Sequence, residues 1–192
     1  MKIVLFPGVG FIEDTSKYED FLLQVTKGVS CDIEIFNWKH EYLLPEIALP
    51  YTSYRKWFAE VILDFQQIVK YADQMEVPEA DIYMGHSAGS VLALAQKGKP
   101  CILYGSPAAL VEIIQDDGTI RDYIKDDRPI LNVVNKYDLI AYTIDSNNVE
   151  NVICSGRWFN PFTYFPISAH FYYWTSKSVV SITKSKLSKL IE

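Results

Sequence analysis

Ser87 stands at the centre of Gly85-His86-Ser87-Ala88-Gly89, with strand-like "DIYM" before the pentad and helix-like "SVLALAQKG" after it. A serine hydroxyl is a weak nucleophile unless a base takes its proton and the backbone keeps it out of helix hydrogen bonding. A strand-turn-helix with flanking glycines meets the second need, because the serine is held strained and neighbouring backbone approaches without meeting a Cβ. The plainer reading is a serine N-cap whose hydroxyl satisfies a helix N–H. The strand before and the helix after favour the nucleophile.

Such a serine needs a histidine, and the chain has three. His86 lies inside the turn, its side chain leaving on the other side from Ser87, and His40 precedes the turn in the chain. His170 remains as the base, the alternative being a histidine packed in the aromatic run Phe171, Tyr172, Tyr173 and Trp174. The base in turn needs an acid to fix its tautomer and stabilise the imidazolium. Asp138, directly after "ILNVVN", sits where a strand would end, and the order 87, 138, 170 is the Ser, acid, His order of nucleophile-elbow enzymes. Asp145 is the fallback, and turn or helix capping is the ordinary role of a loop aspartate. Two backbone donors must also meet a developing oxyanion: the N–H of Ala88, and one from "FPGVG" after the first strand, where Gly8 and Gly10 allow a bend and Val9 is the expected donor. Position 13 is Glu13, so the loop lacks the G-x-G-x-x-G spacing of a dinucleotide cradle, and no cofactor or metal is expected.

Four strings carry a resemblance to the α/β-hydrolase superfamily, and within it to the fungal-type class three lipases. "GHSAGSVLAL" is similar to their elbow, "YGSP" (104–107) to the strand end that follows, "NVVNKYD" (132–138) to the segment bearing their acid, and "HFYYW" (170–174) to their histidine and its aromatics. The likeness spans 83–174, about half the chain, and implies the same trio of Ser87, Asp138 and His170. Ser90 replaces their second glycine, Ala108 and Ala109 replace their Arg-Val-Gly, and no lid helix stands out in the front half, all of which point away from triglyceride hydrolysis at an oil interface.

Positioning these residues requires a scaffold of strand ends. "KIVLF" (2–6), "CDIEIF" (31–36), "DIYMG" (81–85), "CILYG" (101–105), "PILNVVN" (129–135) and "VENVIC" (149–154) read as strands. Helical periodicity lies between them: a helix opened by Thr15 or Ser16, a long one over 51–75 with an apolar stripe from Tyr54 to Ala72, and a last one near 176–191 burying Val180, Leu187 and Ile191. Strand and helix alternating without hairpin signals predict parallel strands in a doubly wound, mostly parallel α/β sheet of about six strands. The expected order is 2-1-3-4-5-6, in a single α/β-hydrolase domain over 1–192. Ligands of such sheets sit at the carboxyl ends of the strands. The stretches 38–50, 116–128 and 155–170 read as irregular and would wall a pocket there. Gly8, Gly10, Phe11, Trp38, His86, Trp158, Phe159 and Phe162 are the expected substrate-lining residues, although the aromatics Trp38, Trp158, Phe159 and Phe162 could equally cover the sheet edge; Arg128 or Arg157 is available for one anionic contact.

A net charge of −6 repels a phosphate backbone, which argues against nucleic acid as a partner. Cys31, Cys101 and Cys154 are odd in number and widely spaced, so neither a disulfide framework nor a zinc site is indicated, and a reducing cytoplasm fits best. The start "MKIVLF" is interrupted by Pro7 and Gly8 and reads as a buried strand rather than a signal peptide. No apolar run reaches the length of a membrane span. Lys177, Lys184, Lys186 and Lys189 form a solvated helix face, with peripheral membrane contact the lesser alternative. The expected function is a serine hydrolase cleaving a carboxylic ester or thioester. The same trio would also serve an acyltransferase, phospholipase or amidase, and a hydrolase-shaped binding module is the non-enzymatic alternative.

Overall fold

A computed structural model describes residues 1–8, 15–38, 68–69, 72–115, 118–155, 169–170 and 172–191. Val9, Gly10, Phe11, His40, Arg157, Trp158, Phe159 and Phe162 lie outside them, as does most of the expected 51–75 helix.

Every expected strand forms, within a residue or two of its expected bounds. These are β1 (Lys2–Phe6), β2 (Asp32–Ile35), β3 (Ile82–His86), β4 (Cys101–Tyr104), β5 (Ile130–Asn135) and β6 (Val149–Cys154). They pair in the order β2-β1-β3-β4-β5-β6, and every ladder is parallel. Parallel neighbours need crossovers, which are supplied among the described residues by α1 (Ser16–Val25), α2 (Ala88–Ala95), α3 (Ala108–Gln115) and α4 (Thr119–Ile124). A short 3-10 turn (Tyr172–Thr175) and α5 (Lys177–Ile191) follow the sheet.

Side chains alternate along a strand, and on β1 both sets are apolar, as a sheet covered on both faces demands. Ile3 and Leu5 pack with Tyr18, Phe21, Leu22 and Val25 of α1 and with Val179 and Leu187 of α5. Val4 and Phe6 point the other way, into a cluster with Val91, Leu92 and Leu94 of α2 and Ile120 and Tyr123 of α4. Ile68, Val69 and Ala72, from the end of the expected long apolar stripe, are buried in that second cluster.

Two expectations need correction. Within 116–128, read as irregular, α4 forms because Ile120 and Tyr123 share one buried helix face; its stability comes from that packing, not from the Asp- and Gly-rich propensity around it. On α5 the buried stripe is Val179, Thr183 and Leu187, with Val180 only partly buried. Thr183 can occupy the stripe because its hydroxyl meets Tyr104 Oη at 2.9 Å, and an apolar-only reading therefore turns the helix by one residue. Of the lysines on this helix, Lys177, Lys184 and Lys189 are exposed, and Lys186 pairs with Glu150. Among the described residues no helix is long and apolar enough to cross a membrane.

Arg128 corrects a third expectation. It lies just ahead of β5, at the edge of the sheet opposite Ser87, and is only 5% exposed. Its guanidinium donates to the carbonyls of Leu94 and Gln96 at the end of α2, to Lys99 at 3.3 Å and to Tyr123 at 2.7 Å, while Nε lies 2.9 Å from Asp126 Oδ1. Arg128 thus closes the C-terminus of the helix behind the serine and is not a substrate contact. Arg128→Ala strands these carbonyls and a carboxylate, and is expected to cost about 3–5 kcal/mol of stability, read from urea unfolding.

Candidate active site

The strand order reverses at β1, since β2 lies on one side of it and β3 on the other. The chains leaving β1 and β3 therefore diverge and leave a crevice at the carboxyl edge. Ser87 sits there, between β3 and α2, with φ 52° and ψ −126°, and it is the only non-glycine residue at positive φ among those described. Its hydroxyl makes no capping bond to α2, so the N-cap reading of that side chain does not hold. The turn is tight because backbone fills the space on both sides. A Cβ on Gly85 would lie 2.4 Å from Gly89 O, and one on Gly89 would lie 2.2 Å from Phe6 O.

The elbow is braced from behind. Ser87 N–H donates to Tyr104 O at 2.9 Å, tying the turn to the end of β4. Ser87 O accepts from Ser90 N–H at 3.0 Å and from the Ser90 hydroxyl at 2.5 Å. Ser90 Oγ lies 2.7 Å from Ser106 Oγ, which accepts from Ala108 N–H at 3.2 Å. The Ser90 hydroxyl is the donor toward both Ser87 O and Ser106 Oγ, so its single proton is shared between the two acceptors. Ser90, which departs from the lipase-like string, thereby braces the turn.

Asp138 follows β5 and His170 lies just ahead of the 3-10 turn, 32 residues further on, yet His170 Nδ1 is 2.7 Å from Asp138 Oδ2. A carboxylate can only accept, so Nδ1 carries the proton. Asp138 Oδ2 also accepts the Tyr173 hydroxyl at 3.0 Å, and Oδ1 accepts Ile140 N–H at 3.0 Å. Burial above all, and then the Asp138 charge, push the Tyr173 phenol well above its usual range, so it stays a proton donor. Tyr173 Oη in turn accepts Asn135 N–H at 2.9 Å, and Asn135 Nδ2 donates to Ala169 O at 3.0 Å, holding the main chain beside His170. Gly105, at φ 58°, lets this cluster close over β4: a Cβ there would lie 3.1 Å from both Asp138 Oδ2 and His170 Cε1.

Ala88 opens α2, where helix geometry leaves first-turn N–H groups without an intrahelical acceptor. Gly8 lies against the serine, since a Cβ on it would be 2.8 Å from Ser87 Cβ. His86 and Trp38 are fully buried. Both rings bond to the protein: Trp38 Nε1–H donates to Pro7 O at 2.9 Å, and His86 meets His170 O and Tyr18 Oη. Sequence reasoning missed Tyr173, Asn135 and Tyr18; the only trace of the first is its place in "HFYYW".

No protein-family model matches the chain, and no curated protein matches it. Among solved structures it is similar to Est1E from Butyrivibrio proteoclasticus, with a TM-score of 0.57 at 13% identity over 99% of this chain and 88% of that one. Weaker likenesses are an esterase domain of a Rhodothermus marinus protein and the thioesterase domain of NocB in covalent complex with a fluorophosphonate nocardicin G analogue. The first has a TM-score of 0.48 at 12% identity, covering 89% of this chain and 82% of that one. The second has a TM-score of 0.43 at 10% identity, covering 99% and 93%. The protein has the α/β-hydrolase fold, as the strand order and the Est1E match show. None of these three structures shows the class three lipase resemblance.

Proposed function

We propose that the protein is a serine hydrolase that cleaves a carboxylic ester or thioester through an acyl-enzyme on Ser87. The observation that carries this reading is the Asp138–His170 hydrogen bond of 2.7 Å at the strand edge where Ser87 is held at positive φ. Because Nδ1 of His170 holds its proton toward Asp138, Nε2 of the neutral ring is the acceptor that a nucleophile needs. Ser87 Oγ attacks the acyl carbon as its proton passes to Nε2, and the carbonyl oxygen takes the charge opposite the N–H groups of Ala88 and Val9. Collapse breaks the bond to the alcohol or thiol, which leaves with the proton from Nε2. Water then attacks the acyl-enzyme, its proton again passing to Nε2, and Ser87 Oγ departs reprotonated with release of the acid. Asp138 remains ionised throughout. The chemistry uses no cofactor, and the substrate is a small ester or acyl compound bound at the β1/β3 crevice.

The test is covalent labelling with an alkyl fluorophosphonate followed by peptide mapping. The wild type should carry one adduct on Ser87, at a rate that falls at least about a hundredfold in His170→Ala. A folded wild type that stays unlabelled, and hydrolyses no p-nitrophenyl ester of any chain length, rejects the hydrolase reading in favour of a binding module.

A further inference from the structure

His86 Nε2 lies 2.9 Å from the carbonyl oxygen of His170, and its Nδ1 lies 3.2 Å from Tyr18 Oη. A carbonyl can only accept, so in the neutral ring Nε2 carries the proton and Nδ1 accepts. The Tyr18 hydroxyl must then donate to Nδ1, which leaves its oxygen to accept Gly8 N–H at 3.4 Å. The whole chain, from Gly8 through Tyr18 and His86 to His170, therefore has one possible polarity. Burial pushes the Tyr18 phenol up to about 12, so it remains the donor across the working pH range.

The same peptide unit is gripped at its other end. Pro7 O accepts the Trp38 indole N–H at 2.9 Å, so the Pro7–Gly8 plane is fixed on both sides. That plane precedes Val9, the expected oxyanion donor, and Gly8 itself abuts Ser87 Cβ. His86 is covalently next to Ser87, its ring lies 4.8 Å from the His170 ring, and Trp174 packs edge-on against it at 4.9 Å. Three segments remote in sequence are thus joined: the Pro7–Gly8 peptide after β1, the elbow and the base.

We propose that Tyr18 and His86 are positioning residues that lock the Pro7–Gly8 peptide and the main chain of His170 to the elbow, so that nucleophile and base hold one spacing. This rests on the serine hydrolase reading. It gives His86 a task distinct from lining the substrate. Neither residue touches reacting atoms; each acts through Gly8 or His170.

Tyr18→Phe removes one hydroxyl while keeping the ring that packs on Trp174 at 4.6 Å. Preorganisation of this kind is worth about 10- to 100-fold in rate when lost. The expected result is a fall of that size in kcat for a p-nitrophenyl ester and in the fluorophosphonate labelling rate, with KM changed less than about twofold. Tyr83→Phe serves as control, because that hydroxyl is bonded to Pro78 O at 3.0 Å at the far edge of the sheet. It should match Tyr18→Phe in lost stability while keeping wild-type kcat. His86→Gln, which retains an N–H toward His170 O, should keep more activity than His86→Ala. The double variant Tyr18→Phe/His86→Gln should lose less than the product of the single losses. Nitrogen NMR of labelled histidine should find the His86 ring protonated on Nε2 and bare on Nδ1, with the Nδ1 signal moved in Tyr18→Phe. An Nδ1–H tautomer overturns the proposal, as does a Tyr18→Phe protein that loses stability but keeps kcat. A wild type that never reacts at Ser87 rejects the hydrolase reading and the positioning role together, whereas a reactive wild type with an unimpaired Tyr18→Phe rejects the positioning role alone.

Discussion

Ser87→Ala is expected to lower kcat for ester hydrolysis by about 10⁶-fold and to abolish fluorophosphonate labelling, while the unfolding midpoint stays at the wild-type value. Both halves follow from the geometry. The hydroxyl is the only atom removed, and it makes no bond to the start of α2, so no helix capping is lost. Alanine keeps the Cβ and therefore keeps the cost of φ 52°. Glycine does not. Ser87→Gly should be equally inactive but more stable than Ser87→Ala by about 1 kcal/mol, the relief of an unfavourable backbone region less the entropy that glycine loses on folding. Paired urea melts of the two variants measure the strain at the elbow directly, and a glycine variant less stable than the alanine one would contradict it.

Asp138→Asn is the second large effect, expected at about 10⁴-fold in kcat, by analogy with loss of the acid's charge in a triad of this kind. The local bonding sharpens the expectation. Asp138 is met by three donors, His170 Nδ1–H, the Tyr173 hydroxyl and Ile140 N–H, and a carboxylate can accept all of them. An amide has one acceptor oxygen, so an asparagine must turn its NH₂ toward at least one donor in either orientation. If Nδ2 faces His170, the ring shifts to the other tautomer and Nε2 no longer accepts the serine proton. If Nδ2 faces Ile140, two N–H groups oppose each other. The variant should therefore also lose about 1–3 kcal/mol of stability, the cost of a buried donor without an acceptor. Steady-state kinetics and thermal unfolding on one preparation check both parts. Full activity in a well-folded variant would show that Asp138 is not the acid.

The strands were legible because each is a short β-branched or aromatic run punctuated by glycine, proline or charge, and parallel order follows once hairpin signals are missing. Ser87 and Asp138 were legible for a related reason: both lie where a strand stops, and the end of a strand is visible in a sequence. His170 was reached by elimination among three histidines. What could not be read was anything decided by where side chains of separate segments meet. Tyr173 is one of 13 tyrosines, and nothing in its neighbours announces that its hydroxyl bridges Asn135 N–H and Asp138. Arg128 was open to a substrate contact because a sequence does not say which edge of a sheet a loop arginine faces; the carbonyls at the end of α2 decide it. Trp38, at the end of a strand, was open to walling a pocket or covering the sheet edge, and His86 was counted among the substrate residues from its place in the elbow. Their burial and the acceptors Pro7 O and His170 O show them holding main chain.

Of the six strands, the earliest in chain order is also an interior one. Ile3 pairs with Ile33 on one side and with Ile82 on the other, so β1 cannot be enclosed until the segment around residue 82 has left the ribosome. At roughly 5–20 residues added per second, that interval is on the order of ten seconds. Throughout it, Ile3, Val4, Leu5 and Phe6 form an apolar ribbon with its β3 edge unpaired, of the kind that invites chaperones or aggregation. Recombinant yield should thus respond more to slower, cooler expression and to added chaperone than to surface substitutions, because the vulnerable species is a nascent chain rather than the finished molecule.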